Sequence, residues 1–388
     1  MTLAAFIANA QKKAATDQKG FTYIHDLDYD EKVTHMLEDQ HGNYTFLCVK
    51  TNVDSMLRIV RVDLNGKLKA DIKKTNLAMR DFQHATHDQQ GCLITGYRRY
   101  NEDKNTYTSR IIKYSPDFSS VVFDTVYRNF TLSGIHPVDS LCCIVTGTFY
   151  PQNIFSGIEI NGHEVYIVMK IDARGRIKWV ESFGTPGMCE GSDIAISPTN
   201  DMLIASHEVV LEGSDHHNLN AYLFDRSHWP GRPATLCLST YCLVDLSGVI
   251  TLPFDSTNWK MPVAVCYSLK NCDTDYGHLA FYSWNLYDQF VLDSLMNFNL
   301  NKPEFSNEVD FGGKALKNGN ILIWNRLGLS EVNPTNYTVT PWVMPAIKKN
   351  GLDPAMHSRY YSTLNNQWLV YGTENHDLKI DAYKIGPR

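Results

Sequence analysis

The chain carries short runs in which apolar and polar residues alternate, and turn-forming residues separate one run from the next. Between Val165 and Asp172 apolar residues fall at every second position, which is the period of a half-buried strand. The segment Asp172-Ala-Arg-Gly175 then supplies turn chemistry, and a new apolar run follows over 177–180. This pattern predicts an all-β protein built from short strands and tight turns.

The predicted hairpins recur at a nearly constant interval. Gly42 and Gly91 lie in two hairpin turns that are 49 residues apart, and Asp139-Ser140 forms the next turn at the same interval. Hydrophobic alternation flanks each of these turns. Because a fixed period of about 20 to 50 residues is typical of repeat architectures, we expect a series of similar β-sheets.

One stretch, 165–207, has a distinctive order of elements. A strand leads through the D-x-x-G turn to a strand containing Trp179, then to a Gly-rich loop over 184–191 and a hairpin around Asn200-Asp201. This order resembles the β-propeller repeat of the SBBP type. The resemblance implies a propeller, whose blades are four-stranded antiparallel sheets.

On this basis we predict a single β-propeller domain over 20–388, preceded by a short N-terminal helical arm over 1–19. We expect seven four-stranded blades, although six or eight also fit the sequence. The last hairpin has only three strands, so the strand over 20–28 is expected to be its fourth and to close the ring. The other predicted blades span about 33–79, 82–128, 132–183, 194–240, 242–298 and 308–347.

Composition narrows the classes of partner and compartment. The 388 residues are 43% hydrophobic and 20% charged, with a net charge of −6, which argues against a nucleic-acid-binding surface. There is no apolar run long enough for a membrane span, and the N-terminal stretch does not have the pattern of a secretory signal. We therefore expect a protein made in the cytoplasm, whose nine cysteines are mostly small core residues rather than a disulfide framework or a zinc site.

Histidines mark one end of the predicted innermost strands. His35 and His84 occupy the same place in consecutive repeats, seven residues before Gly42 and Gly91. A ring of imidazoles at the mouth of a central channel could bind a metal or an anion, but the sequence favours polar residues that solvate the channel, with no metal and no cofactor. The predicted channel-mouth residues are His35, His84, His87, His136 and His357.

Catalytic motifs do not stand out. The sequence has no Asp-box, no G-x-S-x-G elbow, no P-loop and no G-x-G-x-x-G, so we expect a protein that is not an enzyme. A hydrolase or lyase acting across the channel mouth is one alternative, and it would need carboxylates near the histidines. Asp193, Asp245 and Glu308 are the candidates.

Binding is the function that remains. Propellers of this size without catalytic motifs are similar to accessory proteins of tailed-phage virions, which implies a nozzle, a knob or a receptor-contacting part of the tail. We expect the protein to dock, as an oligomer, on proteins of a large assembly and to be found in the virion, or in the cytoplasm before assembly. A lectin-like propeller that binds host-surface glycans is the other alternative. The predicted partner-binding residues are Leu3, Phe6 and Ile7 in the arm, and Tyr97, Arg98, Tyr100, Tyr150, Trp229 and Trp259 in exposed loops.

Overall fold

The fold is known from a computed structural model of the 388-residue chain. The structure describes residues 19–27, 31–50, 56–75, 81–101, 106–139, 141–149, 165–183, 188–196, 202–210, 217–225, 234–240, 243–251, 261–270, 276–284, 290–299, 312–316, 318–325, 328–342, 358–362 and 364–384.

Every regular element in these ranges is a β-strand. The first nine strands are β1 (Lys19–Asp26), β2 (Glu31–Glu38), β3 (Tyr44–Lys50), β4 (Leu57–Val62), β5 (Leu68–Lys74), β6 (Asp81–His87), β7 (Leu93–Asn101), β8 (Thr106–Tyr114) and β9 (Val121–Arg128). The next eight are β10 (Phe130–Pro137), β11 (Cys142–Phe149), β12 (Val165–Asp172), β13 (Ile177–Phe183), β14 (Met188–Ile196), β15 (Met202–Val210), β16 (His217–Asp225) and β17 (Ala234–Thr240). The last eleven are β18 (Leu243–Thr251), β19 (Met261–Lys270), β20 (Tyr276–Trp284), β21 (Phe290–Asn299), β22 (Gly312–Ala315), β23 (Ile321–Asn325), β24 (Gly328–Val332), β25 (Val339–Pro341), β26 (Ser358–Ser362), β27 (Gln367–Glu374) and β28 (Asp377–Lys384).

These strands form seven four-stranded sheets. Six sheets are made of four consecutive strands, from β2-β3-β4-β5 to β22-β23-β24-β25, and the seventh has the order β1-β28-β27-β26. The chain divides into two compact units: a central unit of residues 81–340 and a terminal unit of residues 1–80 and 341–388. The central unit therefore contains five of the predicted blades rather than seven, and the other two sheets belong to the terminal unit.

The terminal unit joins both ends of the chain in one sheet. Strand β1 pairs antiparallel with β28, and Phe21 lies opposite Ala382. The hydroxyl of Thr22 donates a hydrogen bond of 2.6 Å to Asp381. The sequence-based prediction that this N-terminal strand completes the last sheet is confirmed. The predicted helical arm over 1–19 lies outside the described residues, apart from Lys19, which begins β1.

Hairpin turns repeat one hydrogen-bonding scheme. In the β2–β3 turn, Asp39 accepts hydrogen bonds from the backbone N–H groups of His41 and Asn43, and Gly42 has a positive φ of 76°. The aspartates that begin the β4–β5, β6–β7 and β12–β13 turns accept the same two bonds two and four residues on: Asp63, Asp88 and Asp172. A carboxylate that satisfies these donors fixes the turn, which explains why the turns repeat in sequence.

A second repeated feature is an extra residue in the first strand of a sheet. In five of these strands the register against the following strand shifts once, which marks a β-bulge. The five strands are β2, β6, β10, β14 and β18. His35 and His84 each follow this bulge directly, and Gly134 takes the same place in β10. The equivalence of His35 and His84 that the spacing predicts is therefore confirmed.

Outer turns pack against the outermost strand of a neighbouring sheet. In the central unit, Gly175 lies in the β12–β13 turn, where its backbone oxygen accepts a 2.6 Å hydrogen bond from Tyr127 of β9. A Cβ atom at Gly175 would lie 2.9 Å from the ring of Phe123, also on β9. In the terminal unit, a Cβ atom at Gly66 would lie 2.5 Å from the ring of Phe21. An aromatic ring thus covers a turn glycine at both places, and only glycine leaves room for it.

Burial decreases from the inside of a sheet to its edge. All eight residues of β11 are buried, whereas β9 alternates between buried and exposed positions along most of its length. Strands that are buried on both faces carry the core, in which Cys48, Cys92, Cys142 and Cys143 are free thiols, as the sequence predicts. The predicted loop over 184–191 is shorter than expected, because β14 already begins at Met188. In the described ranges no helix could cross a membrane.

Candidate partner-binding site

The end of the β7–β8 hairpin carries an exposed pair of tyrosines. Tyr100 is 43% exposed and lies opposite Tyr107 in the strand register, with the two ring centroids 4.9 Å apart. The guanidinium carbon of Arg98 lies 5.3 Å from the centroid of the Tyr107 ring, which is a cation–π distance. We refer to Arg98, Tyr100 and Tyr107 as the Tyr100 patch. These side chains hold one another in place before any partner binds.

Strand geometry separates Tyr100 from its neighbour Tyr97. Residues 97–101 belong to β7 and do not form the predicted loop, so successive side chains point to opposite faces of the sheet. Tyr97 is only 2% exposed and packs edge-on against Phe82 at 5.3 Å. Burial raises the pKa of Tyr97 well above its ordinary value. The prediction that Tyr97 is an exposed binding residue is therefore wrong, and it is a core residue.

Two arginines lie on the other face of the same hairpin end. Arg99 is opposite Thr108, and Thr108 is opposite Arg128 on β9, so all three share one face. Arg99 and Arg128 are exposed. Guanidinium groups therefore lie on both faces of this end of the sheet, and Asp81 lies opposite Arg98 in the strand register. Exposed arginines can pair with carboxylates of a partner surface.

The remaining predicted partner-binding residues lie outside the described residues. They are Leu3, Phe6 and Ile7 of the arm, and Tyr150, Trp229 and Trp259. Their role stays a prediction.

The structure brings together two of the predicted histidines. His84 on β6 and His136 on β10 have ring centroids 5.7 Å apart, and both strands belong to the central unit. His87 instead stacks on Phe118, which lies in the turn between β8 and β9, with the two ring centroids 6.2 Å apart. His35 belongs to the terminal unit, and His357 lies outside the described residues.

Burial keeps His136 uncharged. It lowers the pKa of His136 from 6.5 to about 4, because a charged imidazole loses its hydration there. A neutral histidine at neutral pH does not favour anion binding. Within the described ranges, no group of three or more His, Cys, Asp or Glu side chains could hold a metal ion. The geometry of this pair therefore favours a structural role for His136.

Replacing His136 with Gln should make the free energy of unfolding depend less on pH between pH 6.5 and pH 4. The folded-state pKa of His136 lies below its unfolded value of 6.5, so the unfolded chain binds the extra proton and the wild type loses stability as the pH falls from 6.5 to 4. We expect this loss to be about 1 to 2 kcal/mol at pH 5. Urea denaturation at pH 7 and pH 5 measures it. The exposed His41, replaced by Gln, is the control, and an equal change in both variants would contradict the assignment.

No protein-family model matches the chain, and no curated protein matches it. Among solved structures, the WD40 domain of coronin from Toxoplasma gondii superimposes with a TM-score of 0.52 at 9% sequence identity, over 95% of this chain and 88% of that domain. The chain has a β-propeller fold. The propeller is also similar to the C-terminal WD40 domain of Sif2, with a TM-score of 0.47 at 8% identity over 94% of this chain and 99% of that one. A further similar structure is the β-propeller domain of the Trilobed protease from Pyrococcus furiosus, with a TM-score of 0.48 at 10% identity over 93% and 96% of the two chains.

At these identities the likeness concerns the fold alone. Since no family model matches, the resemblance to SBBP-type repeats has no support beyond the order of strands and turns.

A charged cluster in the terminal unit of the propeller was missed by sequence reasoning. Arg58 on β4 donates two hydrogen bonds of 2.7 Å to Asp71 on β5 and one of 3.1 Å to Glu31 on β2. His25 on β1 contacts Asp71 through Nε2 at 3.1 Å, and its Nδ1 lies 3.0 Å from the hydroxyl of Tyr23. We call these five residues the Arg58 cluster. It ties the closing strand β1 to the adjacent sheet.

The electrostatics of the Arg58 cluster are those of a structural ion network. Glu31 is 2% exposed, so its charge depends on Arg58 for compensation. The guanidinium of Arg58 holds the pKa of Asp71 below its usual value, and burial raises the pKa of Tyr23 to about 12. A tyrosine that resists ionisation and carboxylates that are bound to arginine are poor acid–base catalysts. These residues come from four strands, and no local motif joins them in the sequence.

Proposed function

We propose that this propeller is a non-enzymatic interaction module that binds a protein partner through the Tyr100 patch. The observation that carries the proposal is the exposed Tyr100 ring, which lies 4.9 Å from the Tyr107 ring at the end of the β7–β8 hairpin. Tyrosine and arginine are the residue types that, with tryptophan, most often dominate binding energy at interfaces. Because the pair is already ordered, little side-chain entropy is lost on binding.

The arginines near the Tyr100 patch indicate the chemistry of the partner. Arg98 lies beside the ring pair, and Arg99 and Arg128 lie on the other face of the same hairpin end. A partner surface with carboxylates around an apolar contact would complement this end of the propeller.

In the fuller form of this proposal, the partner belongs to a large assembly such as the tail of a tailed phage. This form rests on a fold-level analogy with the accessory propellers of tailed-phage virions. On that basis we propose that the protein is found in the virion, or in the cytoplasm before assembly.

Mutation of Tyr100 to Ala should abolish the assembly of the protein with its partner. An interface tyrosine of this kind contributes about 2 kcal/mol or more, so affinity should fall at least about thirtyfold. The test is the mass of the untagged protein by light scattering, alone and after isolation from its native source. Leu68→Ala on β5 is the matched control, since Leu68 is also 43% exposed. Recovery of the Tyr100→Ala variant in the same particle as the wild type would reject the proposal.

A lectin-like role is the second candidate, because an exposed tyrosine ring can also stack on a sugar ring. A glycan array distinguishes the two. Saturable glycan binding that Tyr100→Ala removes, with no protein complex in the native source, would favour the lectin.

A further inference from the structure

Strand β9 is the outermost strand of its sheet, and it exposes apolar side chains. Val121, Val122 and Val126 are 53%, 51% and 51% exposed, respectively. The alternate positions Phe123 and Tyr127 are buried against the neighbouring turn. One face of β9 thus belongs to the core of the central unit, while the other presents β-branched residues at the end of a sheet.

Two other outermost strands, β5 and β13, are protected in the usual way. Lysines interrupt β5 at Lys69, Lys73 and Lys74, and β13 carries the exposed Lys178. Lysine on an edge strand opposes pairing with another chain, because the charge would have to leave water. The sequence of β9, VVFDTVYR, has no lysine. This strand therefore lacks the common protection against edge-to-edge pairing.

The charges on β9 are arranged symmetrically about one valine. Asp124 and Arg128 lie two residues before and two residues after Val126, and all three are exposed on the same face. If two such strands pair antiparallel with Val126 opposite Val126, each Asp124 lies opposite an Arg128. Opposite charges directly across a strand pair are stabilising, and like charges are destabilising.

We propose that β9 is an interface between two copies of this chain, in which the β9 strands pair antiparallel about a two-fold axis at Val126. The two sheets would then continue through the interface by main-chain hydrogen bonds, with one Val126–Val126 contact and two Asp124–Arg128 ion pairs. An isologous contact of this kind is closed, so it gives a dimer and not a fibre. The proposal does not depend on the Tyr100 patch and is tested separately from it.

Sedimentation of the purified protein from about 1 µM to 1 mM tests the interface. Eight residues on each strand form a small interface, so we expect a concentration-dependent dimer. Val126→Lys should remove the dimer, because two lysines would face each other at the axis. Leu68→Lys on β5 is the matched control and should leave the dimer unchanged. A wild type that stays monomeric throughout, or a dimer that tolerates Val126→Lys, would overturn the proposal.

A charge exchange tests the register itself. Asp124→Lys alone and Arg128→Glu alone should each lose the dimer, because both symmetric pairs become like-charged. An equimolar mixture should regain it as a heterodimer, since Lys then faces Glu and Arg faces Asp. Circular dichroism verifies the fold of each variant, because Asp124 also accepts hydrogen bonds from Arg110 within the chain. Failure of the mixture to dimerise, with both variants folded, would rule out this register and with it the proposal.

Discussion

Replacing Arg58 with Met is expected to lower the free energy of unfolding by about 3 to 5 kcal/mol. The variant keeps much of the side-chain volume but leaves the carboxylate of Glu31, which is 2% exposed, without its ion-pair partner. Asp71 loses two hydrogen bonds at the same time. Removing one partner of a buried pair costs far more than the pair itself contributes, because the other charge remains out of water. Urea or thermal denaturation at pH 7 measures the loss.

Arg110 offers a control with the same chemistry at the surface. It contacts Asp124 through Nε and Nη2, as Arg58 contacts Asp71, but the side chains of Arg110 and Asp124 are 21% and 35% exposed. We expect Arg110→Met to cost less than about 1 kcal/mol. Adding Glu31→Gln to Arg58→Met should recover part of the loss, because the buried charge is then absent. Equal costs for the two arginine variants would contradict the role of burial in the Arg58 cluster.

Gly175→Ala should destabilise the propeller by about 2 to 5 kcal/mol. The backbone at Gly175 has a φ of +72°, a left-handed conformation that costs an L-residue about 1 to 2 kcal/mol. The new Cβ would also overlap the hydroxyl oxygen of Thr125 and lie 2.9 Å from the ring of Phe123. Overpacking of this kind adds about 1 to 3 kcal/mol. Denaturation monitored by tryptophan fluorescence gives the total.

Gly319 separates the two contributions. Its φ is +83°, yet a Cβ there would have no atom of the described residues within 4 Å. Gly319→Ala should therefore cost only about 1 to 2 kcal/mol, the conformational part. If Gly175→Ala costs no more than Gly319→Ala, the outer turn does not depend on close packing against β9.

The regular parts of the fold could be predicted from the sequence because turn chemistry is local. An aspartate followed three residues later by a glycine predicts a tight turn from those residues alone. Asp172 and Gly175 are an example, because Asp172 accepts the turn hydrogen bonds and Gly175 has a positive φ. The pairing of β1 with β28 could also be predicted, because the last hairpin lacks one strand. The division into a central and a terminal unit could not be predicted in this way, because no linker sequence marks the boundary between them.

Side-chain environments were harder to predict. Tyr97 and Tyr100 look alike in the sequence, but three residues along a strand place their side chains on opposite faces, and only Tyr100 is exposed. His84 and His136 were both expected at a channel mouth, and their contact depends on how β6 lies beside β10. The Arg58 cluster joins four strands, so its chemistry exists only after the sheets have formed.

The joining of both chain ends in one sheet constrains how the protein is made. Thr22 and Asp381, which share a hydrogen bond, are 359 positions apart in the chain. On the ribosome, β1 emerges before the other strands of the propeller and has no partner until β28 has been synthesised. Since translation adds about 5 to 20 residues per second, β1 waits at least about 18 seconds with its backbone groups unpaired. The last sheet can therefore form only after β28 has been synthesised, and during that interval the nascent chain exposes a strand edge that a chaperone could cover.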